Sequence, residues 1–246
     1  MRLALPRKQV HVWHTRLDER TQPVEAWLSR AERERAARFR SQRERRRYVA
    51  ARTFLRSLLA RYLSCSPTEV VLGHASGGKP ELRSGTGQLR FNLTRSGELA
   101  AAAIGAAREV GVDVERVDPA RHPERLASRV LSPAEVAELD ATAPGAERQQ
   151  GFLRAWTRKE ALLKACGTGI DRELATLDVG IDDARVVTLA DRAGSPSAWS
   201  VASFDPAPGY VGAVAASGPG LEVVSRPYEI AGARFVPRSD ARIVQE

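Results

Sequence analysis

Two acidic residues in mid-chain are spaced for metal chemistry. In the run Gly111-Val-Asp113-Val-Glu115 the carboxylates alternate with valines. Because side chains alternate across a β-strand, both carboxylates share one face, about 7 Å apart along the strand. Two neighbouring anions repel unless a cation lies between them, and magnesium commonly takes one or two carboxylates plus substrate phosphates. The run therefore predicts either a magnesium site or the solvated outer face of an edge strand.

A third carboxylate falls on an apolar helical stripe. Residues 148–165 have the pattern of a helix that stops at Gly167, and Glu160 lies among apolar residues spaced three and four apart. A buried carboxylate without a partner is costly, so Glu160 needs a cation, a donor or a proton. Lys164 follows one turn later on the same side, and Lys159 is adjacent. The alternative is a Glu–Lys pair on a solvated face, which the apolar neighbours disfavour.

The elements that would position these residues occur twice. Ser29 with Glu32 and Ser132 with Glu135 form capping-box patterns, and each precedes a long amphipathic pattern. After a shift of 104, apolar residues of the first long helix fall on those of the second. We expect an α+β fold, a pseudo-dimer of two similar α/β halves, each with an antiparallel sheet packed against a long helix.

The predicted halves are residues 1–108 and 109–226, followed by an unassigned tail, 227–246. The first half would bind a nucleotide, and the second would carry the metal and the catalytic helix. Runs at 89–92, 99–107 and 110–117 have strand patterns and predict an antiparallel meander. The cleft between the halves is the natural place for a site.

Composition is that of an ordinary globular protein. The chain has 246 residues, of which 43% are apolar and 28% charged, which excludes wholesale disorder. The formal charge is +8, and the stretch from Arg30 to Arg61 holds 12 arginines against three acids. Such a local field indicates a polyanionic partner or a solvated helix face. Two cysteines suit a reducing compartment, and the longest apolar stretch is far shorter than a membrane span. We expect a cytoplasmic protein that does not bind a membrane.

Taken together, the motifs resemble the 4′-phosphopantetheinyl transferases of the long, surfactin-synthetase-activating type. The resemblance rests on the run 111–115, on Trp156-Thr-Arg-Lys159-Glu160-Ala-Leu-Leu-Lys164-Ala, and on their order and separation. Gly78-Lys79-Pro80, the run 91–96 and Arg52-Thr53 support it. The similarity extends from about Trp13 to Ala216.

The resemblance implies a Mg²⁺-dependent enzyme that moves 4′-phosphopantetheine from coenzyme A to a serine of an apo acyl or peptidyl carrier protein, releasing 3′,5′-ADP. It implies metal ligands at Asp113, Glu115 and Glu160, and catalytic roles for Glu160 and Lys164. The residues that it implies for coenzyme A binding are Arg35, Arg52, Lys79, Thr94, Arg95, Lys159 and Lys164. Arg95 stands where the family usually has a histidine that meets the 3′-phosphate, and a guanidinium can do this with a permanently charged fork.

Three other interpretations compete with this one, of which the third is another magnesium-dependent phosphoryl enzyme of the same fold. The arginine-rich stretch 30–61 could belong to a nucleic-acid-binding module, whose affinity would fall steeply with salt. An inactive paralogue of the same fold is the second alternative, which the presence of all three carboxylates disfavours. For the transferase we expect a monomer that binds no nucleic acid.

Overall fold

The computed structural model describes most of the chain. The described residues are 3–18, 22–75, 78–83, 88–118, 120–167, 174–181, 185–190 and 196–230. The predicted tail, 227–246, therefore lies outside them from residue 231 onward. Within them the chain forms a mixed fold of α-helices and β-sheets.

Helices and strands are distributed over both halves of the chain. The first half contains β1 (Gln9–Arg16), α1 (Arg30–Ala37), α2 (Gln42–Leu63), β2 (Leu72–His74), β3 (Pro80–Leu82), β4 (Leu89–Ser96) and β5 (Leu99–Ala106). The second contains β6 (Val110–Arg116), α3 (Ala127–Val130), α4 (Pro133–Asp140), α5 (Ala146–Cys166), β7 (Arg185–Ala190), β8 (Pro196–Phe204), β9 (Tyr210–Ser217) and β10 (Glu222–Pro227). Short 3-10 helices lie at Glu25–Trp27, Pro67–Glu69, Pro123–Leu126 and Leu174–Thr176.

Helix α2 forms the centre of the first core. The Ser41 side chain caps its first turn by accepting from the Glu44 N–H, and Ser64 ends it in the left-handed conformation. Leu55 and Leu58 on its apolar stripe are completely buried against the sheet that β4 and β5 build. The stripe that the sequence predicted is therefore the buried face.

Helix α5 packs directly on β6 and β9 of the second sheet. Gly167 ends the helix in the left-handed conformation, as predicted. The approach to β6 is so close that a Cβ on Gly111 would lie 2.0 Å from the carbonyl oxygen of Ala161. Only glycine at this position lets the helix that carries Glu160 rest on the strand that carries the other two acids.

The strands form two larger sheets, in the orders β10-β1-β5-β4 and β6-β9-β8-β7. The antiparallel pairing of β4 with β5 confirms the first part of the predicted meander, but its third strand was wrongly placed. Strand β6 pairs with β9 instead of β5. Its valine face is buried in an apolar cluster with Val10 and Val12 of β1. That cluster joins the two sheets and leaves the acidic face of β6 to the site.

The two halves repeat one order of elements. In each, a strand is followed by a short capped helix, a long helix and further strands, and the first strand pairs antiparallel with one of these, β1 with β5 and β6 with β9. Both predicted capping boxes are present, at Ser29–Glu32 and Ser132–Glu135. Both glutamates are buried and ion-paired with a cation of the following long helix.

The last strand crosses the predicted boundary between the halves. Strand β10 lies, except for its last residue, within residues 109–226 but pairs in parallel with β1, in the sheet of the first half. Tyr228, directly after it, packs into the first core. Local periodicity gives no information about which sheet a strand joins, so the sequence did not predict this crossing.

Candidate functional site

The acidic face of β6 meets helix α5 and strand β4 at one place in the fold. Asp113 and Glu115 point from β6, while Glu160 and Lys164 lie one turn apart on α5. Strand β4 contributes hydroxyl groups from the first half of the chain. The site is therefore built from both halves.

Asp113 is the most enclosed member, with 4% of its surface exposed. Its Oδ1 accepts hydrogen bonds from Lys164 Nζ at 2.5 Å and from Thr94 Oγ1 at 2.9 Å. Its Oδ2 is buried and has no hydrogen-bond partner among the described residues. Burial raises the pKa of this carboxyl, and the charge of Lys164 opposes the rise. This second oxygen is therefore available to accept a hydrogen bond or to coordinate a cation.

Glu115 lies beside Asp113 on the same face of β6. Its Oε2 accepts a hydrogen bond of 2.7 Å from the Ser96 hydroxyl. Burial raises the pKa of Glu115, the bond from Ser96 opposes this, and the negative charge of Asp113 raises it further. The negative charge of Asp113 therefore disfavours ionisation of Glu115, which is the repulsion expected between neighbouring carboxylates.

Glu160 faces the same pair from α5. Its Oε1 is buried and has no hydrogen-bond partner within the described residues. Burial raises the pKa of Glu160, Lys164 lowers it, and the charges of Asp113 and Glu115 raise it again. The negative charges of Asp113 and Glu115 thus act on Glu160, and the convergence of the three acids on one ion stays a prediction.

The spacing of the site carboxylates does not by itself indicate a metal ion. In the described parts of the chain, His, Cys, Asp and Glu side chains form no cluster of three that could already hold an ion. The chemistry of the three side chains nevertheless suits a hard cation. They offer carboxylate oxygens, and two of these, Asp113 Oδ2 and Glu160 Oε1, are buried with no hydrogen-bond partner among the residues that the structure describes. Lys164 neutralises part of the negative charge, through its contact with Asp113.

Three polar residues at alternate positions of β4 connect the halves of the site. The Thr94 and Ser96 hydroxyls bond to the two β6 carboxylates, and Asn92 Oδ1 accepts from the backbone N–H of Val112 at 3.0 Å. The sequence motifs by themselves assigned no role to Asn92 or Ser96. Their spacing of two was the available signal, because it puts three short polar side chains on one face of the strand.

Arg95 points away from this group and into a chain of ion pairs at the start of α2. Its Nη1 donates to Glu44 Oε2 at 3.0 Å, and Glu44 also accepts from Arg47. Arg47 in turn contacts Glu98. The hydrogen bonds from Arg95 and Arg47 lower the pKa of Glu44. Arg95 is part-exposed, so an anion can compete for it.

The other two predicted arginines lie around helices α1 and α2. Arg52 donates to Glu32 Oε1 at 2.5 Å, and Arg56 holds the second oxygen of the same carboxylate at 2.7 Å. The Arg35 guanidinium lies 5.7 Å from the centre of the Tyr48 ring. It also lines a groove of about 530 Å³ whose other lining residues are Ala31, Glu34, Arg38 and Phe39.

Two predicted lysines do not join the carboxylates. Lys159 is completely buried, with Nζ 2.6 Å from Glu135 and in contact with two backbone carbonyls. This placement disagrees with a direct contact to coenzyme A, because no part of the side chain reaches the surface. Lys79 Nζ is bonded to Glu109 and to the carbonyls of Val110 and Ala165. The Lys79 ammonium therefore donates its hydrogen bonds to acceptors within the protein.

Most of the chain corresponds to one enzyme family. Residues 109–215 match a family model described as the 4′-phosphopantetheinyl transferase superfamily, and residues 12–107 match the model "4′-phosphopantetheinyl transferase, N-terminal". In the described residues, no helix has the length and apolar character needed to span a membrane.

Individual relatives agree with these matches. The chain is 37% identical over 225 residues to the 4′-phosphopantetheinyl transferase HetI of Nostoc sp., covering 89% of this chain and 92% of that protein. It is 31% identical over 183 residues to a phosphopantetheinyl transferase of Thraustochytrium sp., covering 70% and 64%. A solved holo-[acyl-carrier-protein] synthase of Thermotoga maritima shows 22% identity and a TM-score of 0.30, over 44% of this chain and 62% of that one.

Proposed function

Because this chain belongs to the 4′-phosphopantetheinyl transferase family, we propose that it moves 4′-phosphopantetheine from coenzyme A to a serine of an apo acyl or peptidyl carrier protein, releasing 3′,5′-ADP. The observation that carries the proposal is the Lys164–Asp113 ion pair, with Glu115 on the same face of β6 and Glu160 one turn before Lys164 on α5. Asp113 and Glu160 each have a buried oxygen that finds no hydrogen-bond partner in the described part of the chain. A site of this kind suits a cation and a phosphate-bearing ligand.

The repeated order of elements supports a pseudo-dimer, with halves near 1–108 and 109–226 except that β10 returns to the first sheet. The site combines β4 of one half with β6 and α5 of the other. A single chain supplies all of these elements, which supports a monomer. The location in the cytoplasm and the lack of binding to membranes and nucleic acid stay expectations from the sequence.

Mg²⁺ is the proposed cofactor, and Asp113, Glu115 and Glu160 would hold it. When bound, it would neutralise the coenzyme A pyrophosphate and the charge that develops during transfer. Thr94 and Ser96 would keep the two β6 carboxylates turned toward the site by the hydrogen bonds that they donate.

Glu160 is the proposed general base. A serine hydroxyl is a poor nucleophile at neutral pH, so a base must take its proton as the bond from oxygen to phosphorus forms. Glu160 Oε1 has no hydrogen-bond partner among the described residues, so this oxygen is available to accept the proton. The bond from phosphorus to the oxygen of 3′,5′-ADP breaks in the same transfer, and Lys164 is placed to stabilise that leaving oxygen.

The nucleotide part of coenzyme A would bind on the basic side of the first half. Arg95 would meet the 3′-phosphate, exchanging its contact with Glu44 for the ligand. Arg35 lines an open groove beside Phe39 and is placed for a phosphate or a base. Arg52 would act chiefly by holding Glu32, since this ion pair already uses its guanidinium.

A transfer assay tests the proposal directly. Apo carrier proteins are incubated with coenzyme A and Mg²⁺, and the gain of a phosphopantetheine group is followed by mass spectrometry. Replacement of Glu160 by Gln is expected to lower the rate about 100-fold or more, the usual range for a lost general base. The matched control is Glu147→Gln, which changes an exposed glutamate of the same helix. Absence of transfer by the unmodified protein to every carrier would contradict the proposal.

A further inference from the structure

The Lys79 ammonium joins three separate parts of the fold. From the β2–β3 hairpin it contacts Glu109 Oε2 at 2.9 Å, the Val110 carbonyl at 3.0 Å and the Ala165 carbonyl at 3.1 Å. Only 10% of the side chain is exposed. An ammonium has three N–H donors, so these acceptors match its capacity.

Two of the acceptors lie directly next to site residues. Val110 begins β6, three residues before Asp113, and Ala165 follows Lys164 in the last turn of α5. The final carbonyls of a helix lack partners within the helix, and a positive charge there is favourable. Lys79 therefore ties the end of α5 to the start of β6.

Because α5 packs tightly on β6, the contact that Lys79 makes with both elements affects the site residues nearby. Gly111 has no Cβ, and α5 lies so close that its backbone fills that space. The Lys164–Asp113 contact of 2.5 Å crosses the same interface, only a few residues away. A small outward movement of the last turn of α5 would carry Lys164 away from Asp113.

We infer that Lys79 is a positioning residue, which sets the placement of Lys164 and Glu160 against Asp113 without touching the substrate. The inference rests on the proposed transfer reaction. It also replaces the expectation that the Lys79 side chain contacts coenzyme A. Glu109 strengthens the tie, because it accepts from Arg90 at 2.8 Å as well as from Lys79.

Steady-state kinetics with varied coenzyme A separate the two roles. For Lys79→Met we expect kcat to fall about tenfold or more, since misplacement of about 1 Å can cost up to about 100-fold, with KM for coenzyme A unchanged within about twofold. Lys79→Arg, which can still donate to the same acceptors, should recover a larger share of kcat. The exposed Lys8→Met is the matched control and should behave as the unmodified protein.

A rise in KM with unchanged kcat would instead identify Lys79 as a coenzyme A contact and would overturn the inference. If neither kcat nor KM changed, the inference would also be overturned. Amide hydrogen exchange gives a test that needs no activity. The Gly167 N–H, bonded to Leu163 O at 2.8 Å, should exchange faster in Lys79→Met, whereas the Arg45 N–H at the start of α2 should not. Equal exchange of Gly167 in both proteins would also overturn it. An inactive unmodified protein would refute the transfer reaction and leave this measurement valid.

Discussion

Lys164 and Asp113 form an ion pair of 2.5 Å across the contact between α5 and β6. The partners differ in exposure: 31% of the Lys164 side chain is exposed, against 5% for Asp113. A ligand can therefore reach the ammonium, while the carboxylate is fixed by Thr94 and by its surroundings. The pair connects the acidic group in the interior with the surface on which a phosphate ester would bind.

Ionisation of the three carboxyls is expected to cost stability as pH rises. The pKa values of Asp113, Glu115 and Glu160 all lie above their ordinary values of 3.8 or 4.5, chiefly because of burial. The native protein thus holds these protons more tightly than the unfolded chain. Their favourable contribution is complete below about pH 4 and is lost as pH rises through the raised native pKa values.

Urea unfolding between pH 4 and pH 8 measures this effect. Asp113→Asn cannot ionise, so its free energy of unfolding should improve relative to the unmodified protein as pH rises. Each unit of raised pKa corresponds to about 1.4 kcal/mol. A difference between the two proteins that stays constant over this range would contradict the prediction.

A divalent cation should offset the loss of stability that ionisation of the three carboxyls causes. If Mg²⁺ binds the three acids, it stabilises the folded protein by about 2.7 kcal/mol at a concentration 100 times its Kd. Thermal unfolding with Mg²⁺ and with EDTA, at neutral pH and without coenzyme A, measures the gain. We expect Glu160→Gln to lose most of it and Glu147→Gln to keep it. Equal gains in all three proteins would place the ion elsewhere.

Gly111→Ala tests the close contact that brings the helix to the strand. The new Cβ would lie 2.0 Å from Ala161 O and 2.4 Å from Ala165 N, both backbone atoms that cannot turn aside. We expect a loss of about 1–3 kcal/mol in unfolding free energy, as for other overpacked sites, and a large loss of transfer activity.

Gly73→Ala is the matched control for this change. The three atoms nearest to its Cβ would all belong to the side chain of Arg83, which is exposed and can move. This variant should therefore stay within about 0.5 kcal/mol of the unmodified protein. Equal losses in the two variants would show that the α5–β6 contact has no special role.

The sequence predicted the local parts of the site well and the long-range parts poorly. Alternation along β6 and the stripe on α5 are properties of a single element, so both acidic faces could be assigned from periodicity. The partner of β6 is about 100 residues away, and nothing in the strand itself distinguishes β9 from β5. Likewise, the local sequence does not show that Lys159 is buried. Its partner Glu135 lies 24 residues earlier in the chain, and only the fold brings the two side chains together.

Glu44 is expected to compete with coenzyme A for Arg95. The two side chains are paired at 3.0 Å on a part-exposed surface, where such pairs contribute about 0.2–1 kcal/mol. Removal of the charge in Glu44→Gln should therefore tighten coenzyme A binding, by up to about fivefold. Isothermal titration at low salt measures the Kd.

Two comparisons make this prediction specific. Binding of 3′-dephospho-coenzyme A should not tighten in Glu44→Gln, because the phosphate that Arg95 would meet is missing. Glu138→Gln removes an exposed glutamate that pairs with Arg185 in the second half of the chain, and it serves as the control. Similar tightening for both ligands would indicate a general change of surface charge instead of competition at Arg95.

Lys159 is expected to serve stability and not coenzyme A binding. Its ammonium and the Glu135 carboxylate are both fully buried, 2.6 Å apart. Lys159→Met leaves that carboxylate without its cation, and breaking a buried pair in this way typically costs about 3–5 kcal/mol. Urea unfolding measures the loss. Titration at a temperature where the variant is folded should give an unchanged Kd for coenzyme A, whereas a weaker Kd in fully folded protein would restore the contact that the resemblance implied.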